Sequence, residues 1–577
     1  ITYFIAHTYD ALVLLNQKET TEERNFNFVD TSTYTLSDNL GTTATGTLNI
    51  NGRKDENGKM STIDFQNRQG FVIYSDTTLN LTNVNLTNSN DTAIYISDGN
   101  SGNIIANFSN NKRAIHNNGT ITSITGNFTG NYSDYDGGAI YNDFTSAMGD
   151  ITIGDITGNF TGNYAENGGA IYNYCGIIGN IRGSFTGNYA TINGGAIYND
   201  GEIGDISGKF SNNSVSTDSE GSIIYNSNNI RNINADFENN IGGVISNNGT
   251  INNISGKFTG NHSKNESVIK SSGSINDITA DFINNYVDGS SYGGSYVLGG
   301  AITNVNGTIG NITGNFTGNY TNIGGGGAIA NFMGTIGDIT GNFSNNHATE
   351  NGGAISISSG RLGTIKGDFT NNYVIFNNPD GYSRGQGGAI YGDVDTISGN
   401  FTGNYVICNE TDESLQAQGG AIYTSNQTFV ADGKSYEFTG NYVSNDGGTT
   451  KDYNAIYVFM YDSSNPVNIT FDLKNGGSYT MNDNINGDTG YGVILQGDGT
   501  NTAFNLNNDI KNDANLTIDN TTLNIANGTI DTRSFGIITA QNGAKLGVDI
   551  DLTNGVADKI TSSGTSTGTL LLNATYK

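Results

Sequence analysis

The chain has 577 residues, a net charge of −29 and a pI near 4.2, yet only 14% of its residues are charged, so the acidity reflects scarce Lys and Arg. There is no basic stripe, which excludes nucleic acid as a partner. A hydrophobic content of 35% is low for one conventional core of this length, but it suits a repeat protein whose core is thin and continuous.

Residues 1–16, ITYFIAHTYDALVLLN, are apolar but too short to span a bilayer, and His7 and Asp10 interrupt them. With no initiating Met and no basic n-region they are not an intact signal peptide. The expectation is a mature or trimmed N-terminus that caps the first coil of a repeat array. Residues 17–25 are polar and read as a short helix or loop. From about 26 to 107 the pattern is strand-like, as in Phe71-Val72-Ile73-Tyr74 and Leu79-Asn80-Leu81, and gives irregular first coils.

Residues 108–441 are a regular array. Phe160–Asn173, FTGNYAENGGAIYN, returns at Phe185–Asn199 as FTGNYATINGGAIYN. F-x-x-N occurs thirteen times, starting at Phe108, Phe128, Phe160, Phe185, Phe210, Phe237, Phe258, Phe282, Phe316, Phe343, Phe369, Phe401 and Phe438. G-G-A-I occurs eight times, starting at Gly137, Gly168, Gly194, Gly299, Gly326, Gly352, Gly387 and Gly419. The mean period of about 27 residues lies in the solenoid range. The unit is rich in Gly, Asn, Thr, Ile and aromatics, which argues against helical repeats and for short strands between tight bends. The predicted fold is all-β: a right-handed parallel β-helix (β-solenoid) of about 25 residues per coil, with successive coils roughly 4.8 Å apart.

Two columns support this. The residue before each F-x-x-N Asn is always Gly or Asn, the residues that tolerate positive φ, so each coil should bend there in the left-handed conformation. The Asn that follows, including Asn131, Asn163, Asn188, Asn213, Asn319 and Asn346, should stack as an amide ladder, with the Phe of each copy stacked in the core. In the I-G-D-I segments the second column reads Asp155, Asn180, Asp205, Asn232, Asn253, Asp277, Asn311, Asp338, with no two Asp adjacent. A stacked turn would require that order, because like charges opposite each other destabilise. It is a structural reading of these carboxylates, preferred to a metal site.

From 442 to 577 the signature fades while alternation persists, as in Leu546-Gly547-Val548-Asp549-Ile550, and a continuing solenoid with shorter coils is expected. The last residues, 568–577, are still strand-like, which reads as a chain stopping within a larger protein. Only two prolines occur, Pro379 and Pro466, and no linker tract, so one continuous elongated domain is the simplest division: 1–107 cap and irregular coils, 108–441 array, 442–577 extension. Cys175 and Cys408 are about nine coils apart, roughly 40 Å, and cannot pair within one straight solenoid. Sparse Cys fits an exported bacterial surface protein better than a disulfide-stapled one.

The interleaved GGAI and FxxN signatures over 108–441 resemble the polymorphic outer membrane proteins of chlamydiae, autotransporters whose passenger is a right-handed β-helix built on these two tetrapeptides. The stretch 543–560, GAKLGVDIDLTNGVADKI, resembles the C-terminal part of autotransporter passengers. The resemblance implies type V secretion, display at the cell surface or in the extracellular space, and an adhesin role toward a host or neighbouring-cell surface protein or glycan. No translocator barrel follows in this chain, so contact with an outer membrane would need a barrel outside it, and its Cys content is lower than is usual for the chlamydial members.

Rival functions need other residues. A polysaccharide-active β-helix enzyme needs clustered carboxylates with Arg or Lys, but Lys and Arg are scattered here. The four His, at 7, 116, 262 and 347, have no ligand spacing, and His262 and His347 merely replace the Tyr that follows FxxN, a surface column. No catalytic residue, metal ligand or cofactor is therefore predicted. A structural fibre assembling end to end is the main alternative, since solenoid ends carry unpaired strand edges. Recognition is expected where the coil is interrupted. The connection from the FxxN Asn to GGAI is short in most coils but long at 286–298, 373–386 and 405–418, always at the same place in the repeat. These insertions should project from one edge, the last two side by side, as binding loops do. They bring Tyr292 and Tyr296; Phe376, Tyr382 and Arg384; and Glu410, Asp412 and Glu413. The exposed Tyr141, Tyr172 and Tyr198 column is the alternative surface.

Overall fold

The computed structural model describes residues 2–5, 23–36, 46–74, 77–98, 100–143, 152–216, 221–289, 298–376, 385–408, 416–461 and 467–576. Every element among them is a β-strand, and the pairs linking one coil to the next are parallel. The chain is a parallel β-helix. It divides into two compact units, Ile1–Thr279 and Ala280–Lys577.

One coil of the first unit shows how sequence becomes structure. Ile181–Thr186 forms the first face, Tyr189–Asn193 the second and Ile197–Asn199 the third. Each pairs in register with its copy in the preceding coil: Phe160 with Phe185, Tyr164 with Tyr189, Ile171 with Ile197. The first bend falls at Gly187, φ +62°, as it does at Gly162, φ +61°, and at Asn212, φ +54°. These are the Gly-or-Asn positions of the motif, where other residues would be strained. The bend before the third face uses the Gly pair. Gly168 has φ +62°, and a Cβ on Gly169 would meet the Gly195 carbonyl oxygen at 2.4 Å, so the next coil passes directly over it.

Inside, like residues stack on like. In the first unit the rings run Phe108, Phe128, Phe160, Phe185, Phe210, Phe237, Phe258, with neighbouring centroids 4.5–5.0 Å apart. In the second unit Phe282, Phe316, Phe343, Phe369, Phe401 and Phe438 repeat the pattern at 4.6–4.9 Å. All are fully buried, and each contributes about 2–3 kcal/mol of burial. The spacing is that of the strands themselves, so ring stacking and backbone pairing are satisfied by one geometry.

At the bend, Asn163 Nδ2 donates to Asn188 Oδ1 at 2.9 Å and to the Phe128 carbonyl at 3.0 Å, and the Asn163 backbone N–H donates to the same Asn188 oxygen at 3.0 Å. Asn131, Asn188 and Asn213 repeat these bonds in the first unit; Asn319 and Asn346 repeat them in the second. All six are fully buried, and each uses its amide to satisfy backbone groups that the bend leaves open. In the second unit the column ends on a carboxylate: Asp483 accepts from Gly440 N, Asn441 N and Asn441 Nδ2, and burial pushes its carboxyl up.

Two local expectations need correction. The strand Arg24–Phe28 begins inside the stretch read as a short helix or loop, because Phe26 and Phe28 alternate into the core. Part of the Asp/Asn column sits within strands rather than in a turn: Asp155 lies in Thr152–Thr157 and Asp205 in Glu202–Ser211, while Asn180 and Asp338 fall in the breaks between two short strands, with buried Ile on either side in each case. Past the array the core continues as Phe471, Leu495, Ile518 and Ala540, successive partners on stacked strands.

Candidate functional site

The long connections rise from the second face of the second unit. Tyr373–Phe376 and Tyr405–Cys408 pair residue for residue, Tyr373 with Tyr405 through Phe376 with Cys408. The two chains return at Gln386 and Gln418, which are bridge partners and whose side chains are joined by Gln386 Nε2 donating to Gln418 Oε1 at 2.8 Å. The consecutive insertions therefore leave side by side and come back side by side. Beneath their roots lies a small core of Val374, Phe376, Val406, Cys408, Ala417 and Val443.

Of the candidate binding residues, Tyr292, Tyr296, Tyr382, Arg384, Glu410, Asp412 and Glu413 lie outside the described residues. Phe376 is placed, and it is not a surface anchor. It ends the strand with 4% exposure and packs into the root core, because the inward alternation of Val374 continues to it.

What the roots do present is an aromatic column. Tyr286, Tyr320, His347, Tyr373, Tyr405 and Tyr442 stack with centroids 4.7–5.1 Å apart and interplanar angles of 2–9°. Lys451 lies over the last ring, 4.2 Å from its centroid. The rings are half-buried. Burial pushes the Tyr405 hydroxyl up to about 12 and drops the His347 imidazole to about 4, so His347 stays neutral between its two tyrosines. His347 is thus a member of a stacked column rather than a free surface group.

The third face of the first unit carries a second column: Tyr95, His116, Tyr141, Tyr172, Tyr198 and Tyr225, with centroids 4.6–5.3 Å apart. It is less open than the sequence implies. Tyr172 is only 9% exposed, Tyr141 and Tyr198 are half-buried, and burial pushes the Tyr198 hydroxyl up to about 12. Arg113 stacks 5.0 Å over Tyr141, and Asp143 lies 3.4 Å from His116.

The carboxylates of the Asp/Asn column serve the backbone. Asp155 Oδ1 accepts from Asn180 N at 2.8 Å, and Asn180 Oδ1 in turn accepts from Asp205 N at 3.0 Å. The Asn180 backbone N–H, helped by Arg182, holds the Asp155 carboxyl below the usual range, and Arg231, helped by Asn232, does the same for Asp205. Among the described residues, no group of three or more His, Cys, Asp or Glu could hold a metal ion.

A second buried ladder escaped the sequence reading. Asn117 donates to Asn142, Asn142 to Asn173, Asn173 to Asn199, Asn199 to Asn226 and Asn226 to Asn247, each at 2.8 Å. The signal was present as the last residue of A-I-Y-N at 142, 173 and 199.

The Chlamydia polymorphic membrane protein repeat matches at residues 125–143, 183–200 and 340–358. Each match runs over the bends and stacked motifs just described. Over these stretches the chain carries repeats similar to those of the chlamydial polymorphic membrane proteins. No curated protein and no solved structure matches it. In these repeats the tetrapeptides build the scaffold, with Phe and Asn inward, and leave the second-face edge as the place where coils differ.

Proposed function

We propose that this polymorphic membrane protein-like chain is a surface-displayed passenger of the autotransporter type that acts as an adhesin and is not an enzyme. The repeat family supports the coarser half of that reading, a surface autotransporter-like protein. The observation that carries the finer half is the paired rooting of the 373–386 and 405–418 insertions on one edge, beside an unbroken aromatic column. Loops on a rigid scaffold with aromatic neighbours have the make-up of a protein or glycan contact surface. The partner is a host or neighbouring-cell surface protein or glycan.

The test is to shorten 373–386 and 405–418 to about five residues each and measure attachment to host cells. Lost attachment with an unchanged melting temperature supports the reading; full attachment moves the site elsewhere.

A further inference from the structure

The second unit contains a polar cleft that neither the repeat nor the loop edge explains. It forms where the regular array meets longer coils. On the first face Ile397 pairs with Phe429 and Phe401 with Phe438, so residues 398–400 of one coil are matched by residues 430–437 of the next. The excess turns outward at Gly433, φ +62°, and is tied to the following coil, where Asp432 accepts from Asn475 Nδ2 at 2.6 Å. It stands as a wall over the plain first face. Between wall and face lies a cleft of about 750 Å3, lined by residues that include Thr340, Thr364, Lys366, Thr396, Ser398 and Tyr436. That volume is within the range of ligand sites.

The chemistry of the lining is specific. The floor is two outward columns of register partners: Thr340, Lys366 and Ser398, and beside it Thr364 and Thr396, whose hydroxyls bond each other at 3.0 Å. Thr428 and Thr470, a paired couple in the following coils, line a neighbouring cleft of about 480 Å3 on the same sheet. Hydroxyl and amide groups thus recur at the coil spacing of roughly 4.8 Å, close to the advance of one sugar ring along an extended chain. Tyr436 supplies a flat apolar face on the wall. Its ring is braced against the fully buried Tyr479, 5.4 Å away, and is half-buried. Charge is balanced: Lys366 and Lys434 line the cleft with Asp368 and Asp432. Neither lysine forms an ion pair among the described residues, so both are available as donors to a ligand.

We infer that this cleft binds a neutral, linear oligosaccharide, laid along the column of coils with a sugar ring on Tyr436 and its hydroxyls on the Thr, Ser and Lys groups of the floor. The site is separate from the loop edge and does not require the adhesin reading. A polyol needs a dense array of donors and acceptors plus one aromatic face, and this floor and wall offer both. The acidic chain as a whole, with net charge −29, disfavours a polyanion.

The protein has no tryptophan, so Tyr436→Trp makes a single reporter at the site. The full chain carrying it is titrated with cellohexaose, xylohexaose, mannohexaose and maltohexaose, with glucose and polygalacturonate as controls. A saturable shift in indole emission with at least one neutral chain, insensitive to salt and absent with glucose, is expected. In affinity electrophoresis through gels containing the corresponding polysaccharide, the unsubstituted chain should be retarded. Tyr436→Ala and Thr396→Val should each weaken that retardation, the first by about tenfold. The loop-shortened protein should bind as the parent does, which keeps this result distinct from that of the attachment assay. No shift and no retardation with any neutral chain in a protein of unchanged melting temperature would overturn the inference. So would binding to polygalacturonate alone, or retardation that survives Tyr436→Ala.

Discussion

The two units share one core and differ in what they put on its faces. In the first, the third face carries the polar ladder Asn117–Asn247 beneath a tyrosine column, and the second-face strands Tyr164–Asn167 and Tyr189–Asn193 lead directly into the Gly pair. In the second, Asn304 still donates to Asn331, but their next register partner is Ile357, and the third-face positions that follow include Gly392, Thr424 and Val458. There a shorter stack, Tyr391, Tyr423 and Tyr457, stays on the third face, and the longest one is on the second face, where six rings stack from Tyr286 to Tyr442 beside the long insertions. The Phe stack and the bend ladder do not change between them. What is invariant is what each coil needs in order to sit on its neighbour; what varies is free to meet a ligand.

Breaking the shared part should cost most. Phe185→Ala in the first unit and Phe343→Ala in the second each remove a fully buried ring stacked on both sides, and each should cost about 3–5 kcal/mol. Equal losses in the two units, read as the drop in denaturation midpoint, would confirm a common core; a loss confined to one unit would break the comparison. Asn188→Leu comes next. It removes the acceptor for two donors of Asn163 and the donor to Phe160 O and Asn213 Oδ1, leaving buried backbone groups unpaired, at about 1–3 kcal/mol for each one stranded. Hydrogen exchange should accelerate at the amides of residues 163 and 188 before it does elsewhere. Unchanged exchange there would show the ladder to be ornamental.

The scaffold was legible in the sequence because each coil states the same physical requirement. Only Gly or Asn tolerates the bend at 162, 187 and 212, and only a recurring flat ring fits a stack at strand spacing, so thirteen repetitions reveal the geometry. The third-face ladder was equally repeated but went unread, since Asn at the end of A-I-Y-N looks like an ordinary strand boundary until its buried partners are seen. Loop composition was legible, but the status of individual residues was not. Phe376 reads as a loop aromatic, yet the strand runs two residues further than its counterpart His347–Ala348 in the preceding coil and carries the ring inward. The cleft beneath Tyr436 could not be read at all. It depends on residues 430–437 outgrowing 398–400 in the coil below, a mismatch between neighbours rather than a motif within either.

The second-face column offers a test by pH. Burial lowers the His347 imidazole from 6.5 to about 4. The unfolded chain therefore takes up a proton at a higher pH than the folded one does. The contribution is fully present above about 6.5, fades as pH falls and is gone once His347 titrates in the fold near 4. His347→Tyr restores the residue found on both sides of it, at 320 and 373, and should flatten the fall in melting temperature over that window while leaving the stack intact. A parallel fall in both proteins would assign the acid sensitivity to other groups, Asp483 excluded: its raised carboxyl favours the fold as pH drops.

The smallest effect is expected on the first-face surface of the first unit, where Arg231 forks onto Asp205 with bonds of 2.7 and 2.6 Å and also reaches Asn180 at 2.9 Å. The geometry is that of a strong bidentate pair. Both side chains are nevertheless close to half exposed, and water and salt screen such pairs heavily. Asp205 would not be left without partners in Arg231→Gln, since Asn232 Nδ2 still donates to its Oδ1 at 2.8 Å. The backbone N–H of Asp205 also keeps its bond to Asn180. The column of amides, rather than the ion pair, holds the strand edge in register. Melting of Arg231→Gln should therefore stay within roughly 1 °C of the parent, and the difference should vanish in molar salt. A drop as large as that of Asn188→Leu would mean that the surface charges of this unit are as structural as its buried amides, and the division between an invariant interior and a free exterior would not hold there.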